Sequence, residues 1–143
     1  MSEETRVELN VQRGIRQSED KLVTAIQEAL DSTTYGKKLR NGKKEKLEES
    51  QFRNLVRVAD TTESSEVIKN FIRYQIGRDE KWGRGENSLA NRIIHDIDNS
   101  IQKRAKEIAE DNKIDINPIW LELIRRYLGY GARYLTYLNK KNS

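Results

Sequence analysis

Arginines and tyrosines alternate near the carboxyl end of this chain, in the stretch LIRRYLGYGARYLTYLNKK. On a helix, four of these side chains lie about 140–200° from Leu128, the centre of an apolar stripe. The four residues are Arg126, Tyr130, Arg133 and Tyr137. Guanidinium groups pair with phosphates and tyrosine rings stack on bases, so this face suits a single-stranded nucleic acid. The same residue types suit a protein interface, and they also fit tyrosines packed on a neighbouring helix with arginines extending past them. The sequence leaves these three interpretations open.

A second candidate is the glycine-rich stretch GRDEKWGRGE, in which Arg78, Lys81 and Arg84 surround Trp82. Glycine lets a backbone approach a phosphate closely, and a loop tryptophan between cations can stack on a base or dock a partner. The alternative is a tryptophan that folds back and covers the end of the helical bundle. Both interpretations stay open at this point.

Basic residues form a third candidate. Residues 33–47 carry six bases against the single acid Glu45, and the glycines among them predict a flexible basic loop. The next helix is predicted to present two arginines on one face, because they are four residues apart. The candidate nucleic-acid ligands in these two segments are Lys37, Lys38, Arg40, Lys43, Lys44, Arg53 and Arg57.

Catalytic constellations are not recognisable. The chain has no cysteine and one histidine, so disulfides, thiolate metal sites and histidine clusters are excluded. Asp96 and Asp98 are two residues apart and point in different directions on a helix. We therefore expect no enzyme activity, no metal site and no cofactor. No apolar run reaches the roughly 18 residues of a membrane span, and the first residues do not form a signal peptide, so a cytoplasmic protein is predicted.

The elements that must position these residues are helices. The chain has one proline, and its apolar residues recur at spacings of three and four, which predicts an all-α fold. We expect a small bundle of about five helices, over residues 18–30, 46–59, 63–76, 88–109 and 117–138. Residues 1–17 are predicted to be a flexible segment, and residues 18–143 a single helical domain.

Three segments resemble the small-subunit family of type III CRISPR effector complexes: SQFRNLVRVADTTES, VIKNFIRYQIGR and the Arg/Tyr-rich stretch that ends the chain. The resemblance covers about residues 48–141. Phe52 stands where the family usually has an aliphatic residue, and KWGRGEN is not part of the family pattern. The matching residues are Gln51, Arg53, Lys69, Tyr74, Gln75, Gly77, Arg78, Arg125, Arg126, Tyr127, Gly129, Arg133 and Tyr134.

The resemblance implies a non-enzymatic helical subunit that holds the backbone of guide or target RNA without sequence preference. Its expected partners are RNA, the other subunits of the complex and copies of itself, with no membrane and no small-molecule substrate. An assembly adaptor that binds only protein is the first alternative. A DNA-binding regulator is the second, although the connection from Gly77 to Asn87 is longer than the turn of a helix-turn-helix.

Overall fold

Helices make up most of the computed structural model, which describes residues 2–141 and leaves the side chains of Lys38 and Lys44 outside the description. Met1, where the predicted flexible segment begins, and residues 142–143, where the predicted helical domain ends, also lie outside the described residues. The predicted all-α bundle is confirmed. Its helices are α1 (Glu3–Gln17), α2 (Glu19–Ser32), α3 (Glu49–Thr61), α4 (Ser65–Arg78), α5 (Leu89–Asp96), α6 (Gln102–Asn112) and α7 (Ile116–Lys141).

Two pairs of consecutive helices adjoin, so the seven helices of the described range form five rod-like units. A π-helical turn, Ile97–Ile101, joins α5 to α6 without a break. Helices α1 and α2 adjoin at Ser18, whose hydroxyl donates to the Gly14 carbonyl at 2.8 Å and accepts from Arg104 at 2.7 Å. A serine that bonds back to the preceding turn is typical of a bend in a helix, and α1 ends and α2 begins at this residue.

Helix α1 corrects the prediction of a flexible segment over residues 1–17. It begins after Ser2, whose hydroxyl accepts a hydrogen bond from a backbone N–H of the first turn. Its buried residues are Val11, Gly14 and Ile15, which pack against α6. This face is narrow and includes a glycine, so the apolar periodicity that reveals a helix in a sequence is weak here.

A short β-hairpin replaces the loop that was predicted over residues 33–47. Strand β1 (Lys37–Lys38) pairs antiparallel with β2 (Lys44–Glu45). At its tip the Leu39 N–H donates to the Lys43 carbonyl at 2.7 Å, and Gly42 adopts a φ of 82°. A glycine in this left-handed conformation is typical of three-residue hairpin turns, so local backbone chemistry defines the shape of this basic segment.

Helix α7 lies at the centre of the bundle, where it packs against α2, α3 and α6. The apolar stripe predicted around Leu128 is its buried face, together with Tyr127 and Gly131. A Cβ atom on Gly131 would lie 2.7 Å from side-chain atoms of both Ile26 and Phe52, so glycine permits this close packing of three helices. No described helix has both the length and the apolar character needed to cross a bilayer.

Candidate nucleic-acid interface

Helices α3 and α7 run antiparallel and are joined at both ends by side-chain hydrogen bonds. Arg125 donates to the carbonyls of Ala59 at 2.8 Å and Thr62 at 2.9 Å, and so caps the carboxyl end of α3. At the other end Asn139 donates to the Leu47 carbonyl at 3.2 Å. The two helices therefore form a fixed surface, and Arg125, which the resemblance includes, has a structural role.

The surface between these helices is a groove of 450 Å³, which we call the α3–α7 groove. Three of the four residues predicted to share the outer face of α7 line it: Arg126, Tyr130 and Arg133. The fourth, Tyr137, lies outside the groove, one turn beyond Arg133, and is 56% exposed. The complete lining is Val56, Asp60, Glu122, Arg125, Arg126, Gly129, Tyr130 and Arg133.

Helix α3 forms the other wall of the groove and carries two more of the predicted nucleic-acid ligands. Arg53 and Arg57 are both exposed, and each precedes a groove-lining residue, Val56 or Asp60, by three positions. Residues three apart on a helix are neighbours, so both arginines lie along the rim of the α3–α7 groove. Two rows of arginines, one from each helix, therefore flank the groove.

The arginines of α7 differ in their surroundings. Arg126 makes ion pairs with Glu19 and with Glu122, the latter at 3.0 Å, and its side chain is 29% exposed. The hydrogen bond that Arg126 donates to Glu122 is the main cause of a raised pKa of Arg126, although burial acts against it. Arg133 is exposed and makes no ion pair with any residue that the structure describes. On the α7 side of the groove, the charge available to a ligand therefore comes mainly from Arg133.

Aromatic side chains extend the outer face of α7 beyond the groove. The rings of Tyr134 and Tyr137 stack with their centroids 5.8 Å apart, and the Lys141 ammonium lies 5.8 Å from the Tyr137 ring. The Tyr134 hydroxyl donates to both oxygens of Asp31 at 2.8 Å. This hydrogen bond, with burial and the charge of Asp31, raises the pKa of Tyr134 from 10.0 to about 12. The last turns of α7 therefore carry two stacked tyrosine rings with Lys141 beside them.

Trp82 does not belong to any interface, and its assignment as a nucleic-acid ligand is wrong. Its side chain is fully buried and stacks on Phe52 with ring centroids 5.6 Å apart. A 3₁₀ helix (Glu80–Trp82) turns it inward, and the Asp79 carboxylate caps this helix by accepting from the Lys81 N–H at 2.6 Å. The alternative interpretation, a tryptophan that covers the bundle end, is confirmed.

Lys81, which was also predicted to bind nucleic acid, makes ion pairs within the protein instead. Its ammonium pairs with Glu48 at 2.9 Å and with Glu45 at 3.0 Å, and the side chain is 12% exposed. The hydrogen bonds to the two carboxylates raise its pKa, and the bond from Lys81 in turn lowers the pKa of Glu48. This cluster ties the glycine-rich loop to strand β2 and to the start of α3.

The other cations of the glycine-rich loop remain at the surface, but they do not line the α3–α7 groove. Arg84 is 73% exposed and pairs with Glu80 at 2.6 Å. Arg78, the last residue of α4, is exposed. The structure therefore does not bring these two residues together with Arg126 and Arg133.

The base of the basic hairpin lies beside the carboxyl end of α7. Lys37, Arg40 and Lys43 are exposed, whereas the side chains of Lys38 and Lys44 lie outside the description. Lys46, which was not among the predicted ligands, donates to the Asn139 carbonyl at 3.3 Å and fastens the hairpin to α7. Its position in the same basic run was the signal that was available in the sequence.

Asp96 and Asp98, the two acids considered for chemistry in the sequence, make separate structural contacts, and only Asp96 is buried. Asp96 accepts from the Tyr127 hydroxyl at 2.6 Å and from Arg92 at 3.1 Å. Burial, with the charge of Asp96, raises the pKa of Tyr127 well above 10.0. Asp98 instead pairs with the buried Lys69 at 2.8 Å. Among the residues that the structure describes, no group of three or more histidines, cysteines or acids could hold a metal ion.

Comparisons with known proteins identify no relative: no family model, no curated protein and no solved structure matches the chain.

Proposed function

We propose that this chain is a non-enzymatic small subunit of a type III CRISPR effector complex. In this proposal it binds the sugar–phosphate backbone of guide or target RNA in the cytoplasm and bridges neighbouring subunits, including its own copies. The observation that carries the proposal is the gathering of Arg126, Tyr130 and Arg133 in one groove, beside the exposed Arg53 and Arg57.

The geometry of the α3–α7 groove supports a strand that lies along it. Arg126 and Arg133 are seven residues apart, which is about 10 Å along a helix axis, and Tyr130 lies between them. Arg53 and Arg57 supply charge from the opposite wall. Phosphates between two rows of guanidinium groups form charge-assisted hydrogen bonds that do not depend on the base, so binding is expected to be blind to sequence in the groove.

The hairpin supports a second contact with the same strand. The base of the hairpin lies beside the end of α7, where the Tyr134–Tyr137 pair and Lys141 continue the outer face. Stacking on an exposed ring such as Tyr137 contributes about 1–3 kcal/mol per base. A strand that leaves the groove at Arg133 would therefore meet rings first and then the basic hairpin.

The proposed lack of catalysis is supported by the contacts that Asp96 and Asp98 make within the protein. Asp96 is committed to Tyr127 and Arg92 inside the bundle, and Asp98 to Lys69. A general acid or base must reach a substrate proton, and the buried Asp96 faces protein partners instead. Cleavage in such a complex is assigned to other subunits.

A protein-binding adaptor is kept as the second candidate because of the outer face of α4. Val67 and Tyr74 are both exposed on this helix, and Arg73 lies beside Tyr74. Tyrosine and arginine are enriched at protein interfaces. A DNA-binding regulator is less well supported, because a 3₁₀ helix and two glycines separate α4 from α5 where a helix-turn-helix has a short turn.

The test is a titration of the purified chain with fluorescently labelled single-stranded RNA at two salt concentrations. We expect Arg133→Ala to weaken binding by the same factor for every sequence. It should also reduce the slope of log affinity against log salt by about 0.7, the value for one phosphate contact on a single strand. Arg13→Ala is the matched control, because Arg13 is exposed on α1 and does not line the groove.

Equal effects of Arg133→Ala and Arg13→Ala would contradict the assignment of the groove. Failure to bind any RNA, together with recovery of protein partners alone from a tagged chain, would favour the adaptor. Tighter binding to duplex DNA than to single strands would favour the regulator. Co-purification of the tagged chain with guide RNA and larger subunits is the outcome expected for an effector complex.

A further inference from the structure

A second cavity, of 340 Å³, opens at the base of the hairpin, and we call it the hairpin-base pocket. Both ends of the hairpin line it, through Tyr35 before β1 and Lys46 after β2. The end of α2 contributes Asp31, and the end of α7 contributes Leu138. The pocket is separate from the α3–α7 groove, with which it shares no lining residue.

The interior of the pocket suits a flat apolar ring. Leu30 and Leu47 are buried at its base, and Leu138 is partly buried beside them. The half-buried ring of Tyr35 forms part of the wall. Ligand pockets range from about 300 to 1,000 Å³, so this cavity is of a size for a small ligand such as one nucleobase.

Asp31 places a hydrogen-bond acceptor at this pocket. The Tyr134 hydroxyl, which donates to both carboxylate oxygens at 2.8 Å, holds the Asp31 side chain in place. A carboxylate has about four acceptor positions and the hydroxyl has a single proton, so Asp31 keeps capacity for another donor. A ligand that places an N–H donor against the Asp31 carboxylate is favoured, whereas a ligand that places an oxygen acceptor there is repelled.

Lys46 places a cation at the same pocket. Within the described part of the chain its ammonium donates one hydrogen bond, to the Asn139 carbonyl at 3.3 Å, and the residue is exposed. An ammonium has three N–H donors, so two remain for a phosphate. The exposed hairpin cations Lys37 and Lys43 extend the positive charge away from the pocket.

We propose that the hairpin-base pocket takes one base of the bound RNA strand, with the exocyclic amino group donating to Asp31 and the adjoining phosphate against Lys46. The inference rests on the proposed function, since it supposes that the strand reaches the hairpin. It adds a preference at one position to binding that is otherwise blind to sequence. Cytosine carries an amino group where uracil carries a carbonyl oxygen, so cytosine fits and uracil does not.

The experiment compares equal-length oligomers of cytidine and uridine, titrated against the wild type and two variants at one salt concentration. We expect the wild type to bind the cytidine oligomer about tenfold more tightly, because one hydrogen bond to a charged acceptor replaces a repulsion. Asp31→Asn should remove this preference, since an amide also donates to the uracil oxygen while still accepting from Tyr134. Asp20→Asn, an exposed acid of the same helix, loses the same charge and should keep the preference.

Two results would overturn the pocket assignment: equal binding of the two oligomers by the wild type, or an unchanged preference in Asp31→Asn. Failure to bind either oligomer would instead overturn the proposed function and the pocket with it. Free cytidine monophosphate should bind about a hundredfold or more weakly than the oligomer, because it lacks the groove and hairpin contacts. Equal affinity for the free nucleotide would show that the pocket does not serve a strand.

Discussion

Replacing Trp82 by phenylalanine should destabilise the protein little, although this tryptophan is fully buried. Its indole N–H is the one buried side-chain donor without a hydrogen-bond partner among the described residues. An unsatisfied buried polar group costs about 1–3 kcal/mol, and phenylalanine removes it. Aromatic side chains bury about 150–250 Å² each, so the loss of apolar area is at most about 100 Å², or about 2.5 kcal/mol. The two effects oppose each other, and the expected net change is within about 1.5 kcal/mol of zero.

Trp120 supplies the matched control, because its indole N–H donates to the Ile97 carbonyl at 2.8 Å. Trp120→Phe loses this hydrogen bond to the π-helical turn, at a cost of about 0.5–1.5 kcal/mol in addition to the lost area. We therefore expect Trp120→Phe to be the more destabilising change even though Trp120 is only partly buried. Trp82→Ala, which empties the site beside Phe52, should cost about 3–5 kcal/mol.

The assay is urea unfolding followed by far-ultraviolet circular dichroism, with free energies extrapolated to water. The chain has two tryptophans, so each Trp→Phe variant keeps one indole whose fluorescence gives an independent transition. A larger loss for Trp82→Phe than for Trp120→Phe would refute the reasoning from the unsatisfied donor. In the folded fraction, none of the Trp82 variants should change RNA affinity, because the ring does not reach the surface.

Two further predictions concern α7. Gly131→Ala should destabilise the protein by about 1–3 kcal/mol through overpacking, because its Cβ would lie 2.7 Å from side chains of α2 and α3. Gly129→Ala, whose Cβ would enter open space, should instead stabilise the helix by about 0.5–1 kcal/mol. The midpoints of urea unfolding of the two variants test this difference. Tyr127→Phe should cost about 1–3 kcal/mol at neutral pH because Asp96 loses a donor. Stability of the wild type should fall above pH 10.0, where unfolded Tyr127 ionises but the folded residue, with its raised pKa, does not. The variant should lack this part of the decline, and an unchanged alkaline profile would contradict the prediction.

The class of the fold and the core of α7 were accessible from the sequence. This helix is 26 residues long, and its buried Leu121, Ile124, Leu128 and Leu135 follow a regular spacing. A long periodic segment determines which face is buried whatever lies around it. The same periodicity placed Arg126, Tyr130 and Arg133 on one face, and the structure has them lining one groove.

The surroundings of Trp82 and Lys81 depend on residues far away in the sequence and were not predictable. The chain folds back so closely that a Cβ on Gly83, the residue after Trp82, would clash with the Thr34 carbonyl oxygen. Lys81 finds its partners on strand β2 and at the start of α3. No local pattern indicates either contact, because each needs the hairpin and the bundle to be in place first.

Ion pairs explain why two arginines on one face of α7 differ in their unpaired charge. Arg126 and Arg133 share a face of α7, yet Glu19 of α2 and Glu122 neutralise only the first. The groove also holds Asp60, so its positive charge is modest. The strongest local excess of cations is therefore in the hairpin rather than in the groove.

Lys81 contributes to that excess although it contacts no ligand in the proposal. Glu45 is the only acid of residues 33–47, and Lys81 neutralises it from the neighbouring loop at 3.0 Å. Without this pair, Glu45 would lower the potential beside Lys37, its partner in the strand pairing. The ion pair thus leaves the hairpin cations unopposed by acids of their own segment, so positive potential is concentrated at the hairpin more than along α7.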